Sequence, residues 1–415
     1  MILRARVLVT MDGPPIENGA VAILEDRIVN VGKFPEIANS HSGEDIVNLG
    51  DQVVLPGLIN SHCHLDYTCL RGAIPRQNSF ADWIGVINAA KARLTADDYC
   101  ESINEGFLEA QRFGTTTIAN LTAFPELISR IAPPIRTWWF AELIDVRDPE
   151  RAREMAVRAA DQLKRQERWG LAPHAPFTAS PNLYRCCEQV AETENILLTT
   201  HLGESREEMQ MFQYANGALY NFLKEIGRDM SDCGTKTPVE HFFAGLVDAN
   251  RPYLFVHLNE VSEGDLGLLQ QFARSSSIVH CPRSHEYFQH SAFRFETLRN
   301  AGFNICLGTD SLASNDDLSL FAEMRAFQEN FPSVPPVEIL KMATTNPARA
   351  LQQERALGKI GPGFVADLIA FPIEKPRSIF EEIVAFDRPV RWAMLGGRIL
   401  GEPAKFSKPL SFSQN

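Results

Sequence analysis

The sequence predicts a (β/α)8 barrel, the TIM-barrel architecture, joined to a small β-sandwich domain formed by both chain ends. Three observations support this prediction: short apolar runs recur along residues 53–312, helical segments alternate with them, and each run leads into polar or metal-binding residues. Because active-site groups of such barrels gather at the carboxyl ends of the strands, the same pattern indicates where the chemistry takes place.

Eight apolar runs are the candidate barrel strands. They cover residues 53–59, 115–121, 135–143, 170–174, 197–201, 253–257, 277–280 and 305–310. Six of the ten histidines stand at their ends, namely His62, His64, His174, His201, His257 and His280. Helical segments such as 97–113, 148–169 and 182–194 separate the runs, as a parallel barrel requires. His41, His241 and His290 lie away from strand ends, where surface or packing roles are expected.

The two chain ends have a different sequence pattern from the predicted barrel. Residues 3–9, 20–24 and 27–31 alternate and turn like antiparallel strands, and the same pattern returns after residue 357. We therefore expect a composite β-sandwich domain from residues 1–54 and 358–415, and a barrel from residues 55–357.

Composition limits the partners and the compartment. The 415 residues carry a net charge of −12, and the basic residues form no patch interleaved with aromatics, so we expect neither nucleic acid nor membrane as a partner. No apolar stretch approaches the roughly 18 residues that a membrane span requires, and the N-terminus does not resemble a signal peptide. Eight cysteines without a CxxC pair favour a reducing cytoplasm.

The motif His62-Cys63-His64 is the first candidate metal site. An extended backbone points residues i and i+2 to the same side, so both imidazoles can reach one ion. With His201 and Asp310 at other strand ends, three neutral nitrogens and one carboxylate suit zinc and leave a position for water. The same ligands also accept iron or manganese.

One divalent ion is expected rather than two. Binuclear barrel hydrolases usually bridge two metals with a carboxylated lysine at the end of the fourth strand, where this chain has His174.

Glu204, three residues after His201, is the candidate proton carrier. A free carboxylate beside the metal can move protons between water and substrate. His257-Leu-Asn-Glu260 repeats the spacing one strand later, and we interpret Glu260 as a charge at a helix start. His257 is then expected to stand near the ion and orient the attacking water.

Two further segments are candidates for substrate contact. His280 closes the seventh run, with a packed core histidine as the alternative, and Arg283 and His285 follow on the next loop, with solvated charges as the alternative. The insert at 205–250 is interpreted as a substrate lid, with a dimer-forming helical pair as its alternative.

Together these motifs resemble those of the amidohydrolase superfamily, in the branch containing cytosine, guanine, S-adenosylhomocysteine and aminodeoxyfutalosine deaminases and s-triazine chlorohydrolases. The resemblance covers almost the whole chain. It rests on the segments Leu55-Pro56-Gly57-Leu58-Ile59-Asn60-Ser61-His62-Cys63-His64, Gly114-Thr115-Thr116-Thr117, His201-Leu202-Gly203-Glu204, His280-Cys281-Pro282, Gly308-Thr309-Asp310 and Pro362-Gly363 with Ala366-Asp367-Leu368.

The resemblance implies metal ligation by His62, His64, His201 and Asp310. It implies catalytic roles for Glu204 and His257, and we also expect Asp310 to help accept the proton of the attacking water. It makes His174 similar to a nucleoside-contacting histidine, and Trp83 is taken as a further substrate contact. Where the resembled deaminases carry a Pro-x-Glu that grips ribose, this chain reads Asn88-Ala89-Ala90-Lys91.

The expected activity is release of ammonia from an amino-substituted N-heterocycle, with an adenosine derivative such as S-adenosylhomocysteine, methylthioadenosine or an aminodeoxyfutalosine-like nucleoside as substrate. The alternatives on the same scaffold are a chlorohydrolase, an amidine hydrolase or a deaminase of free cytosine, guanine or triazine. A non-catalytic assembly barrel is disfavoured, because such proteins have usually lost ligands that this chain retains.

Overall fold

A mixed sheet built from both chain ends forms the smaller part of the molecule. The computed structural model describes residues 1–246, 251–374 and 379–400. The strands of this sheet are β1 (Ile2–Leu8), β2 (Ile16–Leu24), β3 (Arg27–Lys33), β4 (Ile46–Asn48), β5 (Gln52–Pro56), β14 (Leu368–Pro372), β15 (Trp392–Leu395) and β16 (Arg398–Ile399). Strand β14 pairs antiparallel with β5, which joins the two ends. Residues 401–415 of the expected composite domain lie outside the described residues.

The second sheet is the predicted parallel barrel. Its strands are β6 (Leu58–Cys63), β7 (Thr115–Thr122), β8 (Arg136–Leu143), β9 (Trp169–Pro173), β10 (Leu197–Leu202), β11 (Tyr253–His257), β12 (Ser277–His280) and β13 (Asn304–Leu307), in chain order around the sheet. The amides of Thr309 and Asp310 donate to the carbonyl oxygen of His62 at 3.0 and 3.2 Å, which brings the last strand back to the first. The (β/α)8 fold class is therefore confirmed.

The barrel strands form continuous apolar runs in the sequence because they are buried on both faces. Every residue of β6, β7 and β9 to β13 is buried. Parallel strands covered by helices on one side and by the packed barrel interior on the other lose the alternation that marks a half-exposed strand.

Helices follow the barrel strands, except that a 3-10 turn joins β7 to β8, and one helix near each end of the chain lies between strands of the terminal sheet. They are α1 (Phe34–Ser40), α2 (Phe80–Lys91), α3 (Ala96–Arg112), α4 (Ala152–Leu163), α5 (Pro181–Glu194), α6 (Arg206–Tyr214), α7 (Ala218–Glu225), α8 (Pro238–Gly245), α9 (Glu263–Leu269), α10 (Pro282–Phe288), α11 (Phe295–Asn300), α12 (Leu320–Asn330), α13 (Pro336–Lys341), α14 (Thr345–Ala350) and α15 (Ile379–Val384). The predicted helix 148–169 is shorter in the structure, because a 3-10 turn precedes α4 and Trp169 already belongs to β9. No described helix combines the length and apolar character needed to cross a bilayer.

The first predicted run, 53–59, is divided between the two sheets. Its first part lies in β5 of the mixed sheet, and the barrel begins only at Leu58. The change of sheet occurs at Gly57, where a Cβ atom would lie 2.1 Å from Oγ1 of Thr116. Only glycine allows this close approach. The domain boundary expected between residues 54 and 55 thus falls inside a strand of the terminal sheet.

A buried ion pair connects the barrel to the terminal sheet. The guanidinium of Arg136, at the start of β8, contacts the carboxylate of Asp367, which precedes β14; their side chains are 14% and 6% exposed. We expect Asp367→Ala to lower the free energy of unfolding by about 3–5 kcal/mol, because it leaves a largely buried guanidinium without its partner. Urea unfolding measures this loss.

The matched control is Asp12→Ala, which removes the exposed pair between Asp12 and Lys359. Exposed pairs contribute little, so the control midpoint should stay at the wild-type value. Equal midpoints for all three proteins would show that the Arg136–Asp367 pair does not stabilise the junction.

Candidate active site

The carboxyl ends of the barrel strands bring the four predicted metal ligands together. The Nε2 atoms of His64 and His201 lie 3.4 Å apart. The ring centroid of His62 lies 4.9 Å from that of His64 and 5.0 Å from that of His201. Oδ1 of Asp310 lies 3.7 Å from Nε2 of His62 and 3.9 Å from Nε2 of His64. Side chains from three separate strand ends therefore converge on one point.

The donor set of this cluster fits a divalent metal. Neither ring nitrogen of the fully buried His62 has a hydrogen-bond partner among the described residues, and such orphaned groups are costly unless something binds them. The Nδ1 atom of His201 donates to the carbonyl oxygen of His174 at 2.9 Å, which leaves its Nε2 lone pair free. Burial lowers the pKa of His64 well below its ordinary value and that of His201 to about 3. Both are therefore neutral imidazoles, the form that binds metal.

Asp310 is held as a carboxylate beside these histidines. Burial alone would raise its pKa, but the interactions with His62, His257 and His64 hold the pKa of Asp310 well below its ordinary value. The hydroxyl of Ser284 donates to its Oδ2 at 2.6 Å, and the amide of Ser311 donates to its Oδ1 at 2.8 Å.

Two functional candidates adopt a left-handed backbone. The φ angles are +77° at His257 and +56° at Asp310. This conformation costs non-glycine residues about 1–3 kcal/mol and concentrates at functional sites. Here it occurs where each side chain turns from its strand end into the cluster.

Glu204 faces His257 across the site. Its Oε1 lies 3.6 Å from Nε2 of His257. Two hydrogen bonds fix the backbone of Glu204: its amide donates to the side-chain carboxylate of Glu208 at 2.8 Å, and its carbonyl oxygen accepts from the side-chain amide of Asn259 at 3.0 Å. Burial, with smaller contributions from Asp310 and Glu208, raises the pKa of Glu204 well above its ordinary value. The side chain is therefore suited to carrying a proton at neutral pH.

The competing residue Glu260 faces elsewhere. Its Oε1 accepts from the amide of Ser291 at 3.2 Å and lies 3.8 Å from Nε of Arg206. It does not line the cavity above the histidines. The geometry thus distinguishes the two HxxE motifs and places Glu204 at the cluster.

A cavity of about 280 Å³ opens above the histidine cluster. One face of α2 forms a wall, with Phe80, Trp83, Ile84, Ile87, Asn88 and Lys91 at helical spacing. Helix α7, from the insert at 205–250, adds Phe222 and Leu223, and Ile226 follows at its end. Residues 247–250 of that insert lie outside the described residues. His174 also lines the cavity, so two of the five predicted substrate contacts, His174 and Trp83, are cavity-lining residues.

The other three predicted substrate contacts do not line the cavity. His280 is buried and stacks on Phe293 with ring centroids 3.9 Å apart. Arg283 is paired with Asp316 and Asp317, and His285 contacts the side-chain oxygen of Asn259 at 3.0 Å. Position after a strand end did not distinguish side chains that enter the cavity from side chains that pack beside it.

Sequence reasoning overlooked Glu142. It lies near the end of β8, its side chain is 5% exposed, and it lines the cavity. The strand-end rule applied to the run 135–143 could have identified it, but a glutamate before Leu143 carries no motif of its own.

Comparison with known proteins identifies relatives along nearly the full chain. The model of the amidohydrolase family matches residues 53–400. A 5-methylthioadenosine/S-adenosylhomocysteine deaminase from Syntrophobacter fumaroxidans is 30% identical over 94% of this chain and 90% of the relative. A protein of the same name from Pyrococcus furiosus is 26% identical over 91% of this chain and 87% of the relative.

Solved structures show the same fold. The aminofutalosine deaminase of Helicobacter pylori in complex with methylthio-coformycin superposes with a TM-score of 0.85 and 22% identity, covering 96% of this chain and 99% of that one. A zinc-bound atrazine chlorohydrolase from Arthrobacter aurescens superposes with a TM-score of 0.78 and 20% identity, covering 97% and 95%. Because both sequence identities are below 25%, these superpositions show a shared fold and nothing further.

Proposed function

Because the chain belongs to the amidohydrolase family, we propose that it is a mononuclear metal-dependent deaminase of adenosine-type nucleosides. One observation carries the proposal: a buried glutamate of raised pKa, Glu204, faces a histidine and aspartate cluster at the floor of a largely apolar cavity. The names of the curated relatives support the substrate class.

His62, His64, His201 and Asp310 would hold one divalent ion, with zinc the first choice for this ligand set and iron or manganese as alternatives. When bound, such an ion lowers the pKa of water from 15.7 to about 7 and so makes hydroxide available at neutral pH. The chain offers no lysine at the end of β9, where His174 stands, and this supports a single ion.

Three side chains of the protein then carry out the proton transfers. Glu204 donates a proton to the ring nitrogen next to the carbon under attack. His257 and Asp310 orient the water and accept its proton as the carbon–oxygen bond forms. The amino group takes up the proton that His257 and Asp310 accepted and leaves as ammonia. The hydroxyl on the attacked carbon returns its remaining proton to Glu204 as the carbon–oxygen double bond forms, so one water is consumed for each ammonia released.

The cavity suits a nucleoside larger than a free base. Trp83, Phe80 and Phe222 give it aromatic walls, and a flat heterocycle with an apolar 5′ substituent can pack against such walls. The insert would act as a cover over the bound substrate, because α7 contributes to the cavity lining. A homodimer formed through the insert is the alternative role.

The eight free cysteines support a reducing compartment such as the cytoplasm.

A substrate panel tests the proposal. We expect kcat/KM for methylthioadenosine, S-adenosylhomocysteine or aminodeoxyfutalosine to exceed that for cytosine, guanine and aminotriazines by about tenfold or more, since binding energy from the sugar and its substituent lowers the barrier at the ring. Ammonia, chloride and alkylamine release are measured in parallel. Faster turnover of a free base, or release of chloride or amine in place of ammonia, would favour the corresponding hydrolase on the same scaffold.

A further inference from the structure

Glu142 is a buried carboxylate that takes no part in the proposed proton transfers. Three carboxylates line the cavity: Glu204 and Asp310, which the proposed reaction employs, and Glu142. The Oε1 atom of Glu142 is buried and has no hydrogen-bond partner among the described residues. A carboxylate oxygen in this state costs free energy unless a bound molecule supplies a donor.

Its neighbour His174 presents a second polar atom at the cavity wall. Nδ1 of His174 lies 2.6 Å from the hydroxyl of Thr178, so Nε2 is the ring nitrogen left for a ligand. This Nε2 atom lies 3.9 Å from Oε1 of Glu142, too far for a direct hydrogen bond. Two adjacent polar atoms without a mutual hydrogen bond suit a ligand with two hydroxyls, because one hydroxyl can donate to Oε1 while the other donates to or accepts from Nε2.

A second metal ion does not satisfy this pair. Glu142, His174 and His201 do present one ligand atom each within 4.8 Å. However, Nδ1 of His201 already donates to the carbonyl oxygen of His174, and its single remaining lone pair belongs to the three-histidine cluster. Only two chain ligands would remain, fewer than the three or four that a protein metal site uses.

We propose that Glu142, together with His174, determines substrate specificity by forming hydrogen bonds with the two vicinal hydroxyls of the substrate's ribose. This assignment rests on the proposed nucleoside deaminase function. Vicinal hydroxyls stand at a short, fixed spacing, which matches these two adjacent polar atoms. The α2 wall presents Asn88 and Lys91 but no carboxylate to the cavity, so Glu142 is the carboxylate free to recognise the sugar.

The test compares adenosine with 2′,3′-dideoxyadenosine in the wild-type protein and in Glu142→Gln. We expect the wild type to prefer adenosine. In the variant, that preference in kcat/KM should fall by about 10- to 100-fold, the effect of losing hydrogen bonds to a charged group. The metal content should stay at the wild-type value, and the loss of kcat/KM for the dideoxynucleoside should be much smaller than the loss for adenosine. Glu188→Gln, a buried glutamate on α5 outside the cavity, is the matched control and should keep the preference.

Equal losses on both nucleosides accompanied by lost metal would overturn the assignment. They would indicate instead that Glu142 orients His64, whose Nδ1 lies 3.7 Å from its Oε1. An unchanged preference for adenosine would also contradict it.

Failure of the proposed function has a different signature, namely no deamination of any nucleoside by the wild type. Calorimetric titration with inosine and 2′,3′-dideoxyinosine needs no turnover and tests the inference in that case too. Weaker binding of inosine to Glu142→Gln, with no change for the dideoxynucleoside, supports it. Identical binding of inosine to wild type and variant overturns it.

Discussion

Replacing Glu204 with glutamine is expected to reduce kcat by about 10²–10⁴-fold while the protein keeps its metal. The amide preserves the shape of the side chain and its position opposite His257, but it cannot donate and recover a proton. Ammonia release under saturating substrate measures the loss in turnover, and elemental analysis of the same sample measures the metal.

Glu260→Gln is the matched control for this variant. Its carboxylate contacts Ser291 and Arg206 outside the cavity, so turnover should remain close to wild type. If Glu260→Gln lost turnover while Glu204→Gln kept it, the second HxxE motif would be the one that carries the proton transfer.

His62→Ala is expected to lose both the metal and the activity. The wild type should carry about one ion per chain, and removal of one histidine from four converging ligands leaves an incomplete site. Elemental analysis after gel filtration measures the stoichiometry, and ammonia release measures the activity. His41→Ala, at the end of α1 in the terminal part of the chain, is the control and should retain one ion.

Two tightly held ions per wild-type chain would contradict the mononuclear assignment. A His62→Ala protein that keeps a full ion and full turnover would place the metal elsewhere.

The fold could be predicted because a parallel barrel imposes a repeated sequence pattern. Each strand is buried on both faces, so it forms a continuous apolar run, and its carboxyl end exposes polar residues to the site. This regularity is sufficient to identify His62, His64, His201 and Asp310 as side chains that meet at one end of the barrel. It does not show that the chain changes sheets at Gly57, since that depends on the approach of Thr116 from a distant strand.

The wall of the cavity was harder to predict than its floor. His280, Arg283 and His285 follow a barrel strand, yet their side chains meet Phe293, an aspartate pair and Asn259 instead of the cavity. Such contacts join segments far apart in the chain, and no local pattern encodes them. Glu142 was overlooked for the converse reason, because only its neighbours His64 and His174 give its carboxylate significance.

The most direct measurement is the conversion of methylthioadenosine by metal-loaded protein. Two readouts monitor it: ammonia release, and the ultraviolet change from an adenine to a hypoxanthine ring. We expect one ammonia per methylthioinosine formed, loss of the reaction after chelation, and recovery when zinc is restored. If metal-loaded protein releases no ammonia from methylthioadenosine or any other nucleoside in the panel, the assignment as an adenosine-type deaminase is contradicted.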